Sequence, residues 1–166
     1  MGEHPTAKNF VEQLTSLVPP AARAKFQRSR RRRRPTEGAS FGIRTGSIFD
    51  LAKEFIDLPP AEIDILLSDP VHEVRIGALS VMDKQARRNR TSEDRRKELF
   101  DLYMRHSDRI DSWDLVDLGA PHVVGRYLWD KPRRILYTLA RSKSPWERRT
   151  AIVSTLYFVR NGDVED

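Results

Sequence analysis

The chain has 166 residues, of which 39% are hydrophobic and 33% charged, a composition typical of a soluble globular domain with one core. It contains no cysteine, which excludes thiol nucleophiles, disulfides and cysteine-bound zinc. No run of residues approaches a membrane span and the first residues lack a secretory apolar core, so we expect a cytoplasmic protein.

Apolar residues recur with helical periodicity along the chain, and no stretch shows the sustained alternation of a β-strand. Short breaks that carry proline separate most of the helical stretches. We therefore predict an all-α fold with helices at residues 6–18, 20–28, 47–57, 60–68, 71–88, 93–106, 112–119, 121–129, 133–142 and 145–160. The start of the last helix, SPWE, predicts Ser144 as N-cap and Glu147 as the partner that completes a capping box.

The net charge of +6 is concentrated near the N-terminus. Residues 1–45 contain 10 Lys and Arg against 3 Asp and Glu, whereas residues 46–166 contain 20 against 21. Such a charge run is either a flexible, solvated segment, here 23–36, or a set of non-specific contacts to nucleic-acid phosphates. The consecutive candidates for phosphate contacts are Arg30, Arg31, Arg32, Arg33 and Arg34. On either interpretation the segment cannot select a base, because phosphate contacts carry no sequence information.

Two helical stretches of the chain are similar to each other. Residues 65–80 and 139–154 align at an offset of 74, with identical Ser, Glu and Arg residues at several matched positions. Half of this offset is close to one two-helix repeat, which predicts an α-solenoid of stacked helical hairpins with a concave binding surface. A chance similarity between two amphipathic helices is the alternative.

The matched arginines, Arg75 and Arg149, fall inside apolar stripes on a helical wheel. For Arg149 the stripe is Ile152, Val153 and Leu156, and for Arg75 it is Val71, Ala78, Leu79 and Met82. A charge at such a position is expected to be paired or to bind a ligand. The two interpretations are an internal ion pair with a carboxylate and a bidentate contact to a phosphate.

The stretch DSWDLVDLGAP, residues 111–121, contains an indole and several carboxylates in one short helix. Asp111 or Ser112 can be the N-cap, and Asp114 lies in the first turn where the helix dipole favours a carboxylate. Pro121 is expected to end the helix, which would leave Asp117 near the unfavourable end of the dipole. Trp113 is four residues before Asp117 and therefore on the same face. Capping of this helix does not account for Asp117. The non-functional alternatives are that Asp117 caps the helix beginning at Pro121 and that Trp113 is a core residue.

This stretch and the segments APHVVGRYL (120–128) and WERRTAIVSTLYFVRNGD (146–163) resemble the DNA alkylation repair family of HEAT-like-repeat glycosylases, the AlkD type. Generic helical repeats do not produce WDLVD followed some thirty residues later by a W-x-x-R helix, so this combination is a specific part of the resemblance. GIRTGSIFDLAKEF, residues 42–55, and HEVR, residues 72–75, extend the resemblance from about Gly42 to the end of the chain.

The resemblance implies a monomeric, monofunctional glycosylase that removes cationic, ring-nitrogen-alkylated purines from double-stranded DNA. It implies that Asp117 is the catalytic carboxylate, which stabilises the sugar cation and can orient or deprotonate the attacking water. It also implies that Trp113 packs on the sugar and the lesion. Arg149, with Arg75 and Arg44, is implied to contact DNA. No cofactor or metal is implied, and His4, His72, His106 and His122 show no paired ligand spacing. The competing interpretation is a non-catalytic helical-repeat module that binds nucleic acid or a protein.

The chain departs from the family pattern in three places. Members of the family usually continue past the position of Asp166 with further helices, so an exposed apolar face is expected after the last helix. The arginine run stands where the family usually has an aromatic loop with glycine. Gly46 and Phe49 stand where it commonly has proline and arginine.

Overall fold

The computed structural model describes residues 4–33 and 40–165, and the regular secondary structure in these ranges is entirely helical. This confirms the all-α prediction, and the predicted ends are correct to within three residues except around Pro121. The helices are α1 (Ala7–Leu17), α2 (Pro20–Arg30), α3 (Thr45–Glu54), α4 (Pro60–Leu67), α5 (His72–Arg87), α6 (Glu93–Arg105), α7 (Trp113–Gly119), α8 (Arg126–Leu128), α9 (Arg134–Ala140) and α10 (Pro145–Arg160). A 3₁₀ turn lies at Ser107–Arg109 and a π-helical segment at Ala120–Gly125.

The chain forms two compact units, Met1–Val81 and Met82–Asp166, and helix α5 begins in the first unit and ends in the second. Each unit has its own buried apolar residues. The stacked repeats of an α-solenoid stay a prediction.

The first unit is organised around aromatic contacts. The rings of Phe10 and Phe55 pack edge to face with their centroids 5.2 Å apart. The rings of Phe26 and Phe41 pack in the same way, also with their centroids 5.2 Å apart. The ring of Phe10 also lies where a side chain on residue 77 would be, since a Cβ built on Gly77 would be 2.4 Å from it. Glycine at position 77 thus allows α1 to pack directly on the backbone of α5.

In the second unit, α7, the π segment and α8 follow one another without a break. The prediction that Pro121 ends the helix is therefore wrong. Proline lacks an amide hydrogen and its ring clashes with the carbonyl one turn earlier in an α-helix. The wider π turn accommodates it: the Arg126 amide donates to the Pro121 carbonyl, five residues earlier.

Gly125, in the π segment, is in contact with α10. A Cβ at this position would be 2.2 Å from the Ser154 carbonyl oxygen and 3.0 Å from the Cβ of Tyr157. Because neither atom can move without displacing α10, the absence of a side chain at residue 125 sets the distance between the two helices.

An exposed apolar face lies on α9 and α10. Tyr137, Ile152 and Val159 are 45%, 68% and 54% exposed, and they line a groove of about 270 Å³. No helix within residues 4–33 or 40–165 combines the length and the apolar character needed to cross a bilayer.

Candidate active site

The beginning of α7 is fixed by Ser112 and Asp114. Ser112 has the extended backbone of an N-cap, with φ −153° and ψ 159°. The Asp114 carboxylate accepts a hydrogen bond from the Leu115 amide at 2.9 Å and another from the Ser112 hydroxyl. Trp113, between them, is 63% exposed. The two hydrogen bonds to Asp114 thus hold the first turn of the helix, although Ser112 makes no side-chain capping bond to a backbone amide.

Asp117 is joined to Arg149 of α10 by two hydrogen bonds. Arg149 Nε donates to Oδ1 at 2.8 Å, and Nη2 donates to Oδ2 at 2.7 Å. The Arg149 and Asp117 side chains are 42% and 37% exposed. The hydrogen bonds that Arg149 donates to Asp117 raise the pKa of Arg149 above its usual value, so the guanidinium stays charged. This parallel geometry is the one in which arginine also binds phosphates.

The environment of Asp117 differs from the one expected from its sequence. Because the helix continues to Leu128, Asp117 lies in the middle of a helical run and not beside its C-terminal carbonyls. The charge is balanced by Arg149, which is 32 residues away in the chain. The expectation that Asp117 lies near the unfavourable end of the helix dipole is therefore wrong.

The N-cap of α10, which precedes Arg149 by five residues, follows the predicted pattern in part. The Ser144 hydroxyl accepts from the Glu147 amide at 3.4 Å, which confirms the N-cap. Glu147 does not bond the Ser144 amide. That amide donates to the Ser142 hydroxyl at 3.0 Å, and Ser142 in turn donates to the Glu147 carboxylate. A second serine thus bridges the two halves of the capping box.

Arg149 lies on the exposed side of α10. The buried residues of this helix are Thr150, Ala151, Ser154 and Phe158. Ile152 and Leu156, which the helical wheel places in an inward stripe, are 68% and 41% exposed. The assignment of Arg149 to a buried stripe is therefore wrong, although the ion pair that was one of its two interpretations is present.

Asp117 and Arg149 face a groove of about 430 Å³ in the second unit. Its lining is mostly polar and includes three arginines and two aspartates. The residues of the lining are Asp83, Arg87, Asp117, Leu118, Pro121, His122, Arg149, Val153, Leu156 and Arg160. In the described part of the chain no group of three or more imidazoles and carboxylates could hold a metal ion.

A buried hydrogen bond fixes α10 on α6. The Tyr103 hydroxyl and the Thr150 hydroxyl are 2.9 Å apart, and both residues are buried. Burial raises the pKa of the Tyr103 phenol far above its usual value, the bond to Thr150 opposes this, and the negative charge of Asp117 adds to it. Thr150 follows Arg149 directly, so this contact also fixes the backbone from which the Arg149 side chain extends.

A second pair of side chains in the groove was missed by the sequence analysis. His122 Nδ1 is 3.0 Å from Asp83 Oδ1, and the Asp83 side chain is only 8% exposed. The Arg87 guanidinium is 3.4 Å from the other Asp83 oxygen. His122 and Asp83 are 39 residues apart in the chain, and no local pattern marks them as a pair.

Comparison with known families identifies the chain more closely. A family model described as DNA alkylation repair enzyme matches residues 10–166. The chain belongs to this family. No curated protein and no solved structure gives a significant match. Membership in the DNA alkylation repair enzyme family supports a role as an enzyme of DNA repair, with DNA as its substrate.

The other two arginines that the family resemblance indicated have different surroundings. Arg44 is exposed at the N-cap position of α3. Arg75 is only 2% exposed, and its Nη1 donates at 2.9 Å to the carbonyls of Asp69 and Pro70. As placed, Arg75 supports the turn before α5 and does not face solvent, so the expected contact with DNA has no support in its geometry.

The arginine run divides into parts with different environments. Arg30 is the last residue of α2, and its Nε donates to the buried Asp69 carboxylate at 2.8 Å. It is thus engaged within the first unit and is a poor candidate for a phosphate contact. Arg31, Arg32 and Arg33 are exposed, and Arg34 lies outside the described residues. Residues 23–30 of the segment predicted to be flexible are helical.

Proposed function

We propose that the protein is a monofunctional DNA glycosylase of the AlkD type, which hydrolyses the bond between deoxyribose and a purine alkylated on a ring nitrogen in duplex DNA. One observation carries this proposal: α7 presents an exposed Trp113 and, one turn later, Asp117, which is bonded to Arg149 of α10. An aromatic ring can pack on the cationic base, a carboxylate can stabilise the sugar cation, and a guanidinium can hold a phosphate.

Asp117 acts on the sugar in this proposal. An alkylated purine is cationic and leaves without a strong general acid, so the difficult species is the oxocarbenium-like deoxyribose. A fixed carboxylate beside this sugar stabilises the developing positive charge electrostatically. Arg149 holds the Asp117 carboxylate in one orientation before the substrate binds.

Trp113 binds the lesion. Its ring is exposed in the protein without DNA, and the cost of exposing so large an apolar surface is offset if the ring covers a substrate. A cationic base over the face of an indole gains about 1–2 kcal/mol when the contact is desolvated. The same ring discriminates against neutral bases, which lack this attraction.

Arg149 positions the DNA. Its fork is bidentate to Asp117 in the free protein and can turn to a phosphate, which has the same two-oxygen geometry. When Arg149 binds a phosphate, it releases Asp117. DNA binding would therefore expose the Asp117 carboxylate. The substrate then completes the electrostatic arrangement of the site.

The alternative, a non-catalytic binding module, is favoured by the closed state of the ion pair, since both Asp117 oxygens are occupied by Arg149. The decisive experiment is release of methylated purine from alkylated duplex DNA by the parent protein and by Asp117→Asn. A glycosylase releases the base, and the variant binds DNA without releasing it. A protein that binds alkylated duplex and releases no base is a binding module.

A further inference from the structure

His122 lies in the π segment, and its ring is held through Nδ1. Its Nδ1 is 3.0 Å from Oδ1 of Asp83 in α5. A carboxylate can only accept a hydrogen bond, so Nδ1 carries the hydrogen in this contact. The neutral imidazole therefore has its lone pair on Nε2.

The ring also packs edge to face against Tyr157 of α10, with the two ring centroids 5.9 Å apart. Nε2 has no hydrogen-bond partner among the residues that the structure describes, and the side chain is 20% exposed. His122 lines the same groove as Asp117. Because Nδ1 is engaged with Asp83, Nε2 is the acceptor that His122 has left for a molecule in the groove.

The two carboxylates of the groove have other partners: in the complex with DNA, Asp117 faces the sugar cation, and without DNA it is bonded to Arg149. Asp83 faces both His122 and Arg87. An attacking water in this groove needs an acceptor for its proton. Among the described side chains of the lining, the His122 imidazole is the one whose basic atom is unoccupied. A carboxylate behind an imidazole is also the arrangement that stabilises the imidazolium when it forms.

We propose that His122 is a second catalytic residue, the base that receives the proton of the attacking water, and that Asp83 is its positioning residue. This rests on the proposed glycosylase function. The water oxygen forms a bond to the anomeric carbon of the deoxyribose, and the bond from that carbon to the purine nitrogen breaks. The electron pair of this bond neutralises the cationic base as it leaves, and the water proton moves to Nε2. Asp117 stabilises the sugar and Asp83 the imidazolium.

The charged and titratable groups that face His122 come from all the helices around the groove. These groups are Asp83 and Arg87 of α5, Asp117 of α7, and Arg149, Tyr157 and Arg160 of α10.

The test is single-turnover release of methylated purine from alkylated duplex DNA, followed from about pH 5 to 8, where imidazole titrates. We expect His122→Gln to slow release by about a hundredfold or more, the usual contribution of a general base, and to abolish the fall in rate on the acid side. Asp83→Asn keeps the imidazole but removes the charge behind it, so release slows less and the acid limb moves to lower pH. The control is His4→Gln, an exposed histidine in the first unit, which should match the parent protein.

Each outcome separates this inference from the proposed function. If the parent releases base and Asp117→Asn does not, while His122→Gln keeps the parental rate and pH profile, His122 has no catalytic role and the glycosylase function stands. A slower His122→Gln that keeps its acid limb makes His122 a contact residue and overturns its role as a base. If His122→Gln melts far below the parent, the pH profile of Asp83→Asn is the test instead. An acid limb of Asp83→Asn at the same pH as in the parent overturns the inference. Absence of release by the parent overturns the glycosylase function and this inference together.

Discussion

Asp117 and Arg149 form a two-bond ion pair between α7 and α10, with nitrogen-to-oxygen distances of 2.8 and 2.7 Å. Each side chain keeps about two fifths of its surface in solvent, at 37% and 42%. The pair is thus both formed and accessible. An ion pair this exposed contributes little to folding.

Asp117→Asn is expected to lower base release by about a hundredfold or more, the scale of losing one fixed electrostatic stabiliser. The melting temperature should change little, because the pair with Arg149 is half exposed. Excision and thermal melting measured on the same preparation check this. Asp130→Asn, which removes a carboxylate from an exposed side chain, is the matched control. Full excision by Asp117→Asn would end the catalytic assignment.

Arg149→Ala should weaken binding of alkylated duplex and slow excision, whereas Arg149→Lys should recover part of the binding but little of the excision. Lysine keeps the charge but cannot make two parallel bonds to a phosphate or to Asp117. Dissociation constants and release rates for the three proteins test this order. A large drop in the melting temperature of Arg149→Ala would instead show that the ion pair is structural.

Gly125→Ala should destabilise the protein by about 1–3 kcal/mol or more, because overpacking a closed interface forces backbone shifts. The new methyl would be 2.2 Å from the Ser154 carbonyl oxygen, and α10, which carries Arg149, would have to move. Denaturant unfolding measures the loss. Gly46→Ala is the control, since a Cβ there meets nothing within 4 Å and alanine is favoured in a helix. Equal stability of the two variants would contradict the close approach.

Tyr103→Phe should make stability less dependent on pH in the alkaline range. The pKa of the Tyr103 phenol is raised by burial, so in the folded protein it stays neutral where an unfolded tyrosine ionises, above about pH 10. The parent therefore loses stability as the pH rises through this value, and the variant lacks this contribution. Near neutral pH the variant should be less stable by about 1–3 kcal/mol, because the buried Thr150 hydroxyl loses its partner. Unfolding curves measured below and above about pH 10 show whether the free energies of unfolding of the two proteins converge.

Replacing Arg31, Arg32 and Arg33 together by glutamine should weaken binding of undamaged duplex and flatten its salt dependence. The logarithmic salt slope falls by about 0.9 for each phosphate that the protein no longer neutralises, hence by up to about 2.7. Substitution is preferable to deletion of residues 23–34, because α2 extends to Arg30 and carries the fully buried Phe26. The melting temperature should not change, and an unchanged salt slope would show that these residues do not bind phosphates.

The amino-acid sequence determined the helices of this protein and most of their ends. Helix formation depends on residues three or four positions apart and on capping groups next to the ends, and both can be read locally. The start of α10 is an example, since Ser144 and Pro145 mark it without reference to any other part of the chain. The concentration of positive charge and the Trp113 to Asp117 spacing were likewise evident from local sequence.

The tertiary structure decided which of these groups meet. Asp117 finds Arg149 across 32 residues and His122 finds Asp83 across 39, through the packing of separate helices. The buried side of α10 was also decided by packing: the Ser154 carbonyl lies against Gly125, while Ile152 is 68% exposed. Pro121 illustrates the physical reason. Taken alone it ends an α-helix, but the packing of the π segment on α10 outweighs the missing hydrogen bond, and the helix continues through it.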